Sequence, residues 1–376
     1  MLSADGLASI IGSPVDQVER SPLDVEHFSG NTLEQVRAYQ DGRAVRFVLK
    51  RFDPERDWIM RLTHDSEVRE VALFRGGVFA RMPDLLIVPT VAAARDERSW
   101  ASLMLDVSEW LAPNDDSRIA SEDLRRYLDH LAVLHARFME DESLLKPSLG
   151  LSALRDFILI LSPAVVQREL EQGRAHPVLE WARQGWQIFD EVAPPEARRV
   201  VKKLQQDLRP LLRALSRAPR TLVHGDFKFA NLGMWQPAPQ PVLVAQGAEP
   251  VAEAAPGGDG APFEPRTVIL DWQDATFGSP LLDIGYFLAI NSERIGAAKE
   301  ETIEQYRQSL ASFGYAYQPH AWARDLEVGL LAGGAMRLVW QKALGTQSND
   351  PTVRAREARE VEWWSEQIIR ASRWLN

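Results

Sequence analysis

Cysteine is absent from this 376-residue chain, which excludes disulfides and thiolate metal sites. Positive charge is in deficit, with 43 Lys and Arg against 53 Asp and Glu for a net charge of −10. A general nucleic-acid binder needs a basic face, so that class is set aside. No uninterrupted apolar run reaches the length of a membrane span. The start, Met1-Leu2-Ser3-Ala4-Asp5-Gly6, lacks the basic-then-apolar pattern of a signal peptide. A soluble cytoplasmic protein without a membrane partner is therefore expected. The hydrophobic share, 45%, suffices for two lobes with separate cores.

Against these absences stands a dense run of chemistry-bearing residues. His224-Gly225-Asp226-Phe227-Lys228-Phe229-Ala230-Asn231 follows the apolar segment Thr221-Leu222-Val223, and Asp271-Trp272-Gln273 follows Thr267-Val268-Ile269-Leu270. An Asp, an Asn five residues on and a second Asp on its own strand are what phosphoryl transfer from a nucleotide requires. One carboxylate orients the acceptor hydroxyl, while the amide and the other carboxylate hold magnesium against the phosphates. Alone, His-Gly-Asp would be weak, because an Asp in a turn also bonds its own backbone.

Residues His224–Asn231, Asp271–Asp274 and Gly278-Ser279-Pro280-Leu281-Leu282-Asp283-Ile284-Gly285-Tyr286-Phe287-Leu288 resemble the active-site core of the aminoglycoside phosphotransferase family. That family, with choline-kinase-like enzymes, is the small-molecule branch of the protein-kinase-like fold. The resemblance implies an α+β, two-lobe architecture: a small β-rich N-terminal lobe over residues 1–107, and a larger, mainly helical lobe over 108–376. It implies Asp226 as catalytic base, Asn231 and Asp271 as magnesium ligands, and ATP as phosphoryl donor. It also implies that Asp283 braces the catalytic loop from the start of a helix. His-Gly-Asp, where protein kinases have His-Arg-Asp, points to a small-molecule hydroxyl as acceptor.

Within this resemblance Lys50, in Arg46-Phe47-Val48-Leu49-Lys50, is the strand lysine for the α- and β-phosphates. Glu70 is its expected carboxylate partner on the next helix, with Glu67 three residues away on nearly the same face. Phe28-Ser29-Gly30-Asn31-Thr32 is the phosphate-covering loop. It carries one glycine, so Ser29, Asn31 and Thr32 are expected to donate side-chain hydrogen bonds. Met104-Leu105-Asp106-Val107 is the hinge for adenine, with Met104 and Asp106 at its edges. His224 is read as a buried brace for the catalytic loop, and His135 as a core histidine. Asp274 is the alternative metal ligand. Lys228 is either a cation near the γ-phosphate or a solvated loop lysine. A competing reading from another class is a non-catalytic nucleotide-binding module on the same scaffold.

Hydrophobic periodicity supplies the rest of the outline. A helix is expected over 3–12, and strands over Leu23–Phe28, Leu33–Gln40 and Ala44–Phe52, the last two joined at Asp41-Gly42. A helix at Ser66–Arg81 and strands at Leu85–Val91 and Ser102–Val107 complete the first lobe. Helices are then expected at Glu122–Phe138, 151–172, 177–191, 195–217, 281–290, 298–313, 320–345 and 353–374. Gln236–Pro265, rich in proline and glycine, reads as a flexible insertion between the two metal-ligand segments, with a substrate lid as the alternative. Trp340, Trp363, Trp364 and Trp374 are read as packing residues in preference to an acceptor pocket. The identity of the acceptor and the oligomeric state are not legible.

Overall fold

A computed structural model describes residues 1–23, 30–95, 99–235 and 264–375. The N-terminal part is a five-stranded antiparallel sheet preceded by helix α1 (Ala4–Ile11). Its strands are β1 (Gln17–Pro22), β2 (Thr32–Gln40), β3 (Arg43–Arg51), β5 (Thr90–Arg95) and β6 (Trp100–Leu105), ordered β1-β2-β3-β6-β5. Alternation along β3 decides which side each residue serves. Phe47 and Leu49 are fully buried with Leu7 of α1, Val36, Ala38 and Leu103, which leaves Lys50 on the opposite face. There lie α2 (Trp58–Leu62) and α3 (Arg69–Arg75).

The strand expected at Leu23–Phe28 falls largely outside the described residues, and β1 lies instead at Gln17–Pro22, where Glu19, Arg20 and Ser21 hide the strand signal. The segment expected as one strand over Leu85–Val91 is divided. Leu86–Ile87 (β4) runs parallel to β9 (Arg266–Ile269), while Thr90 onward joins the large sheet.

The C-terminal part is helical around two small sheets. Helix α4 (Ser121–Arg137) buries Leu124, Leu128, Leu131 and Leu134 along one stripe. Then come α5 (Leu154–Leu159), α6 (Pro163–Glu171), α7 (Pro177–Val192), α8 (Pro195–Gln206) and α9 (Arg209–Leu215). Two helices expected as continuous, 151–172 and 195–217, are thus each broken. Pro163 forces extended backbone on Ser162, and Pro210 starts α9 beyond an extended Asp207; in both cases the proline cannot supply the N–H a helix interior needs.

Strands β7 (Thr221–Val223) and β10 (Thr276–Gly278) pair antiparallel, as do β8 (Leu232–Trp235) and β9. The final helices are α10 (Leu281–Ile290), α11 (Lys299–Ser312), α12 (Pro319–Gly329), α13 (Met336–Gly345) and α14 (Pro351–Ser372). Between α12 and α13 lies a π-helical turn, Leu330–Ala335, where 320–345 reads as an unbroken helix in sequence. That turn rides directly on α10: a Cβ on Gly333 would overlap the Leu282 carbonyl oxygen. Trp340 and Trp364 are buried, in keeping with their reading as packing residues. No helix among the described residues is long and apolar enough to cross a membrane. The proline- and glycine-rich insertion lies outside the described residues except for Glu264 and Pro265.

Candidate active site

Lys50 comes from the middle of the sheet, paired through β3 with Leu33 and Ser102. Its Nζ donates to Glu70 Oε2 at 2.9 Å and to Asp271 Oδ1 at 3.1 Å. Glu70 is also held by the Ser102 hydroxyl and is 2% exposed, whereas Glu67 lies on the surface. The choice between two carboxylates that spacing left open is thus made by which one faces the sheet. Burial pushes the Lys50 amine down, but the charges of Asp271 and Glu70 more than offset it and hold the pKa above its ordinary value. The ammonium is therefore permanent at neutral pH.

Asp271 follows β9 with φ of 62°. For a residue with a Cβ this left-handed backbone costs about 1–2 kcal/mol, and such strain clusters at functional sites. Burial raises its pKa, yet Lys50 and Lys228 bring the balance below the usual carboxylate value. Across the β8–β9 pair, Leu270 N donates to Asn231 O at 2.9 Å, so the ladder sets Asn231 next to the segment carrying Asp271.

The loop after β7 carries Asp226. Gly225 has φ of 84°, and a Cβ there would sit 2.5 Å from the Asp274 carbonyl oxygen, so no other residue fits between His and Asp. Asp283, fully buried in the first turn of α10, accepts from His224 N at 2.8 Å, Gly225 N at 2.7 Å and the His135 ring at 3.1 Å. Burial alone would raise its pKa, but the His135 hydrogen bond leads the opposing effects and the net shift is downward. His224 accepts from Asp226 N through Nδ1, so Nε2 carries the proton that goes to Leu270 O at 3.0 Å. Both ring nitrogens are spent on backbone, which makes this histidine a tie between the Asp226 loop and the Asp271 strand.

Asp226 itself receives three donors. Lys228 Nζ and Asn231 Nδ2 each approach Oδ2 at 2.8 Å, and the Tyr286 hydroxyl reaches Oδ1 at 2.5 Å. Lys228 is held above its ordinary pKa: burial lowers it, but the Asp226 charge and hydrogen bond outweigh that. Asn231 Nδ2 is committed to Asp226, so its amide oxygen is the atom left to meet a cation. That oxygen with the Asp271 carboxylate is a hard donor set of the kind magnesium takes, which needs one or two carboxylates and completes its shell with phosphate and water. Among the described residues no three His, Cys, Asp or Glu side chains gather around one point, as a dedicated all-protein metal cage would require.

Other expected residues sit differently. Asn31 is 3% exposed and its Nδ2 donates to Asp57 Oδ2 at 2.7 Å and to Gln273 Oε1 at 3.3 Å. It therefore braces the loop instead of presenting its amide outward. Gly30 has φ of 82°, Thr32 opens β2 on the exposed side, and Phe28 and Ser29 lie outside the described residues. Met104, one residue before the end of β6, lies opposite Val48. Asp106 caps the next turn, accepting from Ser108 N and Oγ, and lies 3.6 Å from Arg46. Leu105 N donates to Pro89 O and Asp106 N to Arg46 O, so an adenine there would have to bond other backbone groups.

Asp274, the alternative metal ligand, turns away into a buried pair with Arg337 Nη2 at 2.6 Å. Four partners of the site are given no role by the sequence reading: Tyr286, Arg337, Asp57 and Gln273. Tyr286 and Gln273 lie inside the segments that carry the family resemblance, and Tyr286 sits one helical turn after Asp283, whereas nothing local marks Arg337 or Asp57. A cavity of about 350 Å³ beside Leu154, Leu212 and Phe277 takes no wall from Lys50, Asp226 or Asp271, so it lies apart from this constellation.

A choline kinase from Cryptosporidium parvum Iowa II superimposes with a TM-score of 0.51 at 10% identity, over 95% of this chain and 93% of that one. That likeness shows a protein-kinase-like fold. A choline/ethanolamine kinase family protein from Mesorhizobium loti aligns over 100% and 98% of the two chains (TM-score 0.44, 14% identity). A spectinomycin phosphotransferase, solved with ADP and spectinomycin, aligns over 97% of each (TM-score 0.44, 10% identity). No protein-family model matches the sequence, and no curated protein does.

Proposed function

We propose that this protein is an ATP-dependent phosphotransferase that moves the γ-phosphoryl group to a hydroxyl of a small molecule. The observation that carries the reading is a run of contacts in which Glu70 holds Lys50, Lys50 meets Asp271, and Asn231, whose carbonyl accepts from Leu270 N just before Asp271, holds Asp226. Residues 1–107 serve as the nucleotide lobe and 108–376 as the catalytic lobe. The choline kinase of the same fold acts, by its name, on a small amino alcohol, but a fold alone does not fix an acceptor.

In this reading Lys50 leaves Asp271 for the α- and β-phosphates, with Glu70 keeping its ammonium in line. Magnesium, when bound by Asn231 and Asp271, neutralises phosphate charge. Asp226 accepts a hydrogen bond from the acceptor hydroxyl, aims its lone pair along the transfer line and takes its proton late. Lys228 screens charge on the group in flight.

The test is purified protein with MgATP. Thermal stabilisation by MgATP and ADP release with one of a panel of amino alcohols, sugars and aminoglycosides are expected. Asp226→Asn should lower kcat by about a thousandfold, the scale of losing a key base or electrostatic group. Binding of MgATP without turnover under any condition would instead favour the nucleotide-binding module. Neither binding nor turnover would end both readings.

A further inference from the structure

Counting lone pairs on Asp226 locates the point where the acceptor arrives. A carboxylate offers about two acceptor sites on each oxygen. Among the described residues Oδ2 has two donors, Lys228 and Asn231, and Oδ1 has one, Tyr286. Oδ1 therefore retains a site, directly beside the phenol oxygen. We propose that Tyr286, seated beneath Arg337, fixes the Asp226 carboxylate so that Oδ1 receives the acceptor hydroxyl. This rests on the phosphotransferase reading above and extends it to a positioning residue.

The seat is built for one geometry. Arg337 stands over the Tyr286 ring at 4.6 Å and over the Phe157 ring at 4.0 Å. Its Nη1 donates to Gly225 O and its Nη2 to Asp274 Oδ2. One buried guanidinium, 5% exposed, thus grips both the backbone immediately before Asp226 and the aromatic ring that reaches its side chain. Arg337 can stand there because the π-helical turn before α13 lies against α10, which carries Tyr286. Such turns occur frequently at functional sites. Burial, then the charge of Asp226, keeps the phenol well above its ordinary pKa, so it remains a donor throughout the working pH range.

A phenol that keeps its proton does not act as a base toward the acceptor, and a carboxylate pinned at both oxygens cannot rotate. What the pair contributes is alignment of the nucleophile, which appears in kcat while MgATP binding is untouched. Basal MgATP hydrolysis reads this directly, because water can take the acceptor's place.

Full-length wild type, Tyr286→Phe, Arg337→Lys, the double variant and Asp226→Asn are compared for kcat, MgATP KM and melting temperature. Tyr286→Phe is expected to lower kcat about tenfold with KM for MgATP within about twofold. The double variant should lose little beyond the larger single loss, because the two residues act as one unit. Tyr286→Phe with wild-type kcat, alongside an inactive Asp226→Asn, overturns the positioning role and leaves the phosphotransferase reading standing. Equal changes in kcat, KM and melting temperature also overturn it, as the mark of general destabilisation. Unimpaired Asp226→Asn removes the base itself, and this inference with it.

Discussion

Gln273 donates its Nε2 to the buried Oδ2 of Asp57 at 2.7 Å, joining the residue two places after Asp271 to the N-cap of α2 in the sheet-rich part. Asn31 adds a second donor to the same oxygen. The clasp is a buried polar junction that ties the loop carrying Asn31 and the start of α2 to the segment after Asp271.

Removing the amide should therefore cost stability in a pH-dependent way. Burial leads the effects on Asp57 and holds its carboxyl above its usual value, with the Gln273 hydrogen bond opposing. A raised carboxyl contributes most below its unfolded pKa and loses that contribution as pH rises through the folded one. Gln273→Leu raises the folded value further, so its penalty grows with pH. Urea unfolding should give a loss of about 1–3 kcal/mol at neutral pH, shrinking in acid. A loss that is constant with pH would show that Asp57 does not depend on this donor.

Asp283 works with the opposite sign. Its folded pKa is lowered below 3.8, so its contribution is present above that value and lost as pH falls through the lower one. Asparagine offers one acceptor oxygen where Asp283 serves the amides of both His224 and Gly225, and breaking buried charged contacts costs about 3–5 kcal/mol. Asp283→Asn should be strongly destabilised at neutral pH and converge on wild type in acid. Parallel stability curves across that range would remove the carboxylate from its bracing role.

Lys50→Met should leave Glu70 buried without its ammonium and, under the proposed phosphotransferase function, the phosphates without a strand cation. On the scale of losing one electrostatic contact, MgATP turnover should fall by about a hundredfold to a thousandfold. Measured ADP release close to wild type would show that another group takes the phosphate charge.

Gly333→Ala tests the contact that seats the π-helical turn on α10. Since its Cβ would overlap the Leu282 carbonyl, the two segments must part, at about 1–3 kcal/mol for overpacking. Thermal melting reads the loss, and an unchanged melting temperature would mean that the segments have room to give.

Several elements could be read from local pattern alone. The stripe of Leu124, Leu128, Leu131 and Leu134 has helical spacing, and Asp41-Gly42 turns β2 into β3, because both signals act within a few residues. The breaks at Pro163 and Asp207 were missed because periodicity continues across them while the backbone does not. β1 was missed because its charged residues face solvent at a sheet edge, where no alternation is needed.

For the site, residue types and offsets nominate Asp226, Asn231 and Asp271, since phosphoryl transfer needs those groups together, whereas Lys50, Glu70 and Asp283 come from the family resemblance, with spacing unable to separate Glu70 from Glu67. What the chain order cannot carry is direction. Asn31 is expected to donate to phosphate and Asp274 is the alternative metal ligand, yet three-dimensional packing turns one onto Asp57 and the other onto Arg337. Tyr286 and Arg337 reach Asp226 and its loop from 60 and 112 positions away, a meeting produced by α10 lying against the π-helical turn. Sequence by itself determined which functional groups exist; tertiary structure decided which of them face one another, because hydrogen bonds and burial are settled by distances in space.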